Sequence, residues 1–131
     1  MSANTVPIFP LTPNWQSTPI SSAITTRTVS GVTGLVNVFT AGASGSRIDS
    51  ITMLATGTTT AGVIRLWKYD GTGNATLLAE TLVTAITPST SIAVWSAEQL
   101  PVNFVLKTGQ SLYASPHNAE AFVIHVRGGD Y

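Results

Sequence analysis

The stretch GVIRLWKYDGTGNATLLAETLVTA, residues 62–85, decides the fold class. Two β-rich runs, Gly62–Tyr69 and Thr76–Ala85, flank the segment DGTGN. Asp, Gly and Asn accept the backbone angles of a tight turn, and Asp can take the turn's own N–H groups on its carboxylate. A β-hairpin follows. In the first run Ile64 and Leu66 oppose Val63, Arg65, Trp67 and Tyr69. Both faces carry bulky groups, so this strand is expected to be covered on both sides, the second time by the N-terminal segment or a neighbouring subunit. In the second run Leu78, Leu82 and Ile86 share a face that Glu80 interrupts, and Arg65 is the expected partner of Glu80.

On either side the same punctuation recurs. Further runs cover Ala23–Val29, Leu35–Thr40, Arg47–Ala55, Ser91–Trp95, Phe104–Lys107, Ser111–Ser115 and Ala121–Arg127. They are separated by GVTG, AGASGS, TGTTTAG, TPST, LPVN, KTGQ and SPHNAE, where Gly supplies positive φ and Pro blocks ladder pairing. No window keeps the spacing of an amphipathic helix, and a single turn near Ala97–Gln99 is the one helical candidate. Strands at intervals of about ten residues predict an all-β fold, an antiparallel β-sandwich with jelly-roll-like connections. In the last run Val123, His125 and Arg127 share the face opposite Phe122, Ile124 and Val126.

The N-terminus reads differently. MSANTVPIFPLTPNWQSTP places Pro7, Pro10 and Pro13 three residues apart, the repeat of a polyproline II helix. Residues 1–19 are therefore expected to form an extended arm reaching up to roughly 60 Å, with 20–131 as the sandwich domain. An extended segment cannot bury Ile8, Phe9, Leu11 and Trp15 against itself. They are candidate partner-binding anchors, set in a groove on the chain's own domain or on a neighbour. A ligand for an SH3-type domain is disfavoured because no Arg or Lys flanks the prolines.

Composition excludes several functions. Only 9% of the 131 residues are charged, against about 25% in an average protein, and the formal net charge is zero. That argues against nucleic acid as a partner, which requires a basic footprint. No run approaches the ~20 apolar residues of a membrane helix, and no basic segment precedes an apolar one as in a signal peptide. Without cysteine there is no disulfide and no thiolate chemistry. His117 and His125 show no metal-ligand spacing, so neither metal nor cofactor is expected. Asp70 has a structural task in its turn, and Asp49, two residues from Arg47, reads as half of a charge pair. No nucleophile motif or Walker loop is present, and the expectation is a protein that is not an enzyme. Trp67, Tyr69, His125 and Arg127 are candidate interface residues. A weakly charged surface suits a protein that is covered in use.

Three stretches read together carry a resemblance: SRIDSITMLATGTTTAGVIRLWKYDGTGNATLLAETLVTAITPST, LPVNFVLKTGQSLYAS and AFVIHVRGGDY. Across roughly residues 45–131 the pattern resembles small virion proteins of tailed bacteriophages, among them capsid decoration (cement) proteins with a jelly-roll fold. The N-terminal arm lies outside it. The resemblance implies a structural role without catalytic residues, commonly as a homotrimer bound to the major capsid protein on the capsid surface, after synthesis in the host cytoplasm. Two alternatives stay open: another virion component (head fibre, neck or tail), and a carbohydrate-binding jelly roll for host attachment that stacks sugars on Trp67, Tyr69, Trp95 or Tyr113.

Overall fold

The structure, a computed structural model, describes residues 9–99 and 104–131. Among the described residues, nine strands make up two antiparallel sheets. They are β1 (Thr12–Ile20), β2 (Val36–Thr40), β3 (Ser46–Ala55), β4 (Gly62–Tyr69), β5 (Ala75–Val83), β6 (Ser96–Gln99), β7 (Phe104–Leu106), β8 (Ser111–Pro116) and β9 (Phe122–Asp130). The first sheet runs β1-β9-β3-β6, with β7 beside β6 on the same edge of β3. The second runs β2-β8-β4-β5. Their inner faces enclose one core, in which Ile48, Ile51, Met53, Ile124 and Val126 meet Val38, Phe39, Ile64, Leu66 and Leu112. Alternation produces this: in β9, Phe122, Ile124 and Val126 are buried while Val123, His125 and Arg127 are half-exposed.

The expected hairpin is present as β4 and β5, with Arg65 opposite Glu80 in the register. Asp70 Oδ1 accepts the N–H groups of Thr72 (2.7 Å) and Asn74 (3.2 Å), and Gly71 and Gly73 take positive φ. Those backbone N–H groups hold the Asp70 carboxyl below its ordinary value.

Four local expectations are corrected. Thr12–Ile20, read from its prolines as polyproline II, is an edge strand paired along its length with β9. Both conformations are extended, but polyproline II leaves the backbone solvated, whereas the ladder satisfies the edge of β9. Pro13 and Pro19 fit because an edge strand does not need every N–H. β1 thus crosses the boundary drawn between residues 19 and 20, and Ile8, with all of 1–8, lies outside the described residues. Ala97–Gln99 belongs to strand β6, in which Thr52 faces Glu98 and Leu54 faces Ser96, and Ser91–Trp95 is irregular. One helical turn is too short to persist alone, while β3 offers a full set of ladder partners. Ala23–Val29 is not a strand either. It belongs to the irregular link between β1 and β2, which lies over the outer face of the second sheet. There Ile24 N–H donates to Pro116 O (2.9 Å), Arg65 Nη1 donates to Ile24 O (2.8 Å), and Ala75 N–H donates to Gly31 O (3.2 Å).

At Arg65 this link supplies a second cover for β4. Trp67 has no solvent-exposed surface and donates through Nε1 to Ser115 Oγ at 3.0 Å. The two-sided strand is therefore covered within the chain and gives no reason of its own for a subunit interface. One flank of the sandwich is joined by Gln16 of β1. Its Nε2 donates to Thr40 O and its Oε1 accepts from Thr40 N–H, both at 3.2 Å, so a carboxamide stands in for a backbone pair between the two sheets.

Candidate interaction surface

β1 pairs with β9 so that Trp15 stands opposite Arg127, Ser17 opposite His125 and Pro19 opposite Val123. β3 continues the rows with Ser50 beside Arg127 and Thr52 beside His125, and β6 adds Glu98 beside Thr52. The outward face of the first sheet is thus a polar field with one large aromatic side chain at its β1 edge.

The parts of this field hold one another. Arg127 Nε donates to Ser50 Oγ (2.9 Å), and its Nη2 donates to Thr52 Oγ1 and to Glu98 Oε1 (3.0 Å). So fixed, the guanidinium lies 5.4 Å from the centroid of the Trp15 ring, within cation–π range. His125 meets the same indole edge to face, with centroids 6.3 Å apart, and its Nδ1 is 2.7 Å from Ser17 Oγ. Trp15 is nevertheless 64% exposed. Its position is set by neighbours while most of its surface faces solvent.

Phe9 (68% exposed) and Leu11 (84% exposed) precede it at the same alternation, so Phe9, Leu11 and Trp15 lead along one extended chain. Pro10 packs against Gly129, where a side chain would collide with it, and Leu11 N–H donates to Asp130 O at 2.7 Å. The apolar side chains therefore project from a backbone already tied to β9. Ile8, the fourth expected anchor, is outside the described residues.

The candidate interface residues divide. His125 and Arg127 come together at Trp15. Tyr69 is half-buried on the other sheet, edge to face with Tyr113 at 5.7 Å. Trp67 is buried within its own chain, its Nε1 bonded to Ser115 Oγ, so as an interface side chain it is corrected. Trp95 is buried too, edge to face with Phe122 at 5.8 Å, and a sugar platform on Trp67 or Trp95 has no accessible ring. Nothing local in the sequence joins Ser17, Ser50, Thr52 and Glu98 to His125 and Arg127. Alternation turns His125 and Arg127 outward, but which side chains join them depends on strand pairing across the sheet.

Elsewhere, Arg47 Nε meets Asp49 Oδ1 at 2.8 Å on the exposed surface. Glu80 faces Arg65 as expected, with Arg65 Nε 3.5 Å from Glu80 Oε2, and is bound more closely by Arg27 of the link. The hydrogen bond to Arg27 holds the Glu80 carboxyl below its ordinary value, and Glu80 in turn raises Arg27. Among the described residues no group of three or more His, Asp or Glu side chains is gathered as a metal site, and no helix is long and apolar enough to cross a membrane.

The sequence matches no protein-family model, and no curated protein matches it. Among solved structures it is similar to a pentameric capsid protein isolated from metagenomic phage sequences, at 15% identity and a TM-score of 0.44. The similarity covers 88% of this chain, which spans 60% of the length of that protein.

Proposed function

We propose that the chain is a structural component of a tailed-bacteriophage virion, a capsid decoration or cement protein that binds the major capsid protein at the capsid surface. The resemblance across residues 45–131 supports the class of protein. The strand orders support reading the sandwich as a jelly roll: most steps from β1 to β9 cross from one sheet to the other, and first and last strands pair. The homotrimer rests on the resemblance alone, since β4 is covered by its own chain.

The observation that carries attachment is the stripe Phe9, Leu11 and Trp15. Each such side chain, once fully buried, contributes roughly 1.5–3 kcal/mol. Arg127 and His125 already restrict Trp15, which lowers the ordering cost of binding, and a buried Trp is a frequent centre of binding energy. A groove on a neighbouring protein chain is the expected partner.

The test is to add purified variants back to particles stripped of this protein. Because β1 begins at Thr12 and Pro10 packs on Gly129, a truncation must end at residue 9 to leave the sheet intact. The chain lacking residues 1–9 and carrying Leu11→Ser, and separately Trp15→Ala, should lose occupancy while melting within a few degrees of the parent. Full occupancy by both variants would overturn the attachment role. Copy number per particle separates the cement reading from the alternative virion component: hundreds of copies for a capsid lattice, far fewer for a neck, tail or fibre.

A further inference from the structure

On the second sheet, the link and the β8–β9 turn border a shallow, open pocket of about 390 Å³ lined by Arg27, Ala61, Val63, Arg65, Leu82 and His117. Its size is within the range of small-molecule sites. One wall is cationic and the other aliphatic.

Arg65 is only 3% exposed, yet its Nε has no hydrogen-bond partner. Glu80 Oε2 lies 3.5 Å from it, an ion-pair contact without a hydrogen bond. Arg65 Nη1 is spent on Ile24 O and on His117 Nδ1 (3.2 Å). A guanidinium only donates, so His117 Nδ1 is the acceptor, and the neutral ring carries its proton on Nε2. Arg27, by contrast, directs Nε and Nη2 at the two oxygens of Glu80. One carboxylate thus faces two guanidiniums and satisfies only one of them, leaving a net positive charge and an unmet buried donor. A buried, unpaired donor is costly and rare in folded proteins. Beside it, Leu82 is 69% exposed, an apolar surface at the pocket mouth.

We propose that this pocket binds an aliphatic carboxylate, its oxygens shared between Arg27 and Arg65 and its hydrocarbon body resting on Leu82, Val63 and Ala61. The planar fork of a guanidinium matches a carboxylate in two-point contact. Glu80 acts as the resident competitor, holding Arg27 until a ligand arrives.

The probe is butyrate, titrated into the full chain and followed by the NMR signals of the Arg27 side chain and the His117 ring, with butanol and inorganic phosphate as the other arms. Butyrate should give saturable shifts that butanol does not. Phosphate, lacking the hydrocarbon body, should bind more weakly. Arg27→Ala should weaken butyrate at least tenfold, and Leu82→Ser should weaken butyrate but not acetate. Glu80→Gln removes the competitor's charge and should tighten binding several-fold, a gain that a purely structural Glu80 would not produce. Equal responses to butyrate and butanol, phosphate binding tighter than butyrate, or unchanged or weaker butyrate binding in folded Glu80→Gln would each overturn the proposal. Should Arg27→Ala fail to fold, the Leu82 and Glu80 variants still decide it.

Discussion

Gly128 is a residue whose necessity is steric. A Cβ built there would sit 2.0 Å from Arg47 O, at the register shift where β3 passes β9 between Ile48 and Ser50. The obstacle is backbone, so no rotamer change relieves it. Gly128→Ala should cost about 3 kcal/mol and lower the melting temperature by roughly 10 °C. Gly57→Ala, with nothing within 4 Å of the new atom, is the neutral control in the same thermal scan. At the hairpin turn the prediction concerns pH. The Asp70 carboxyl is held low in the folded protein by the N–H groups of Thr72 and Asn74. Its contribution to stability is therefore fully present above the unfolded carboxyl value, about 3.9, and is lost as pH falls through the lower folded value. Asp70→Ala should melt below the parent at neutral pH, and the gap should close in strongly acidic buffer.

Among the elements, β1 has the most distinctive assignment. It is a proline-containing edge strand, tied on one side to β9 and on the other to β2 through Gln16 and Thr40. Gln16→Ala removes both bonds to Thr40 without touching the β1–β9 ladder. Hydrogen exchange at the Thr40 amide should accelerate while exchange at Val126 and Ile124 stays slow; protection at Thr40 equal to that of the parent would mean the two sheets are held together there by packing alone. The same element shows where sequence reading stops. A three-residue proline repeat specifies an extended backbone but not whether an edge is at hand to pair with it. Ala97–Gln99 is similar: the helical turn its residues permit yields to β3, which supplies Ile51 to Met53 as partners.

At the scale of the whole molecule, pairing is dominated by strands distant in sequence. Asn14 Nδ2 reaches Asp130 Oδ1 across 116 residues, in the sheet where β1 meets β9. Folding must close such loops before the contacts that reward them exist, so refolding from denaturant should take roughly milliseconds to seconds rather than microseconds. Stopped-flow tryptophan fluorescence, dominated by the buried Trp67 and Trp95, measures it; a microsecond phase accounting for the full amplitude would contradict the topology.

The fold class, the β4–β5 hairpin with its Asp70 turn, the facing of Arg65 and Glu80, and the outward side of β9 are legible in the amino-acid sequence, because alternation and turn chemistry act between residues close along the chain. Which surface covers Trp67, and which side chains surround Trp15, depend on segments that meet only when the chain is folded. Trp67 looks the same in sequence whether a subunit or its own chain covers it, and the link holding Ile24 and Arg27 reads locally as a β-rich run, with nothing to show that it leaves the ladders and lies across the second sheet. Trp15 meets Arg127 and His125 only because β1 pairs with β9, and Glu98 joins them only because β6 pairs with β3. Such juxtapositions arise from long-range pairing, whose register is fixed by the shared core and by no local signal in either strand.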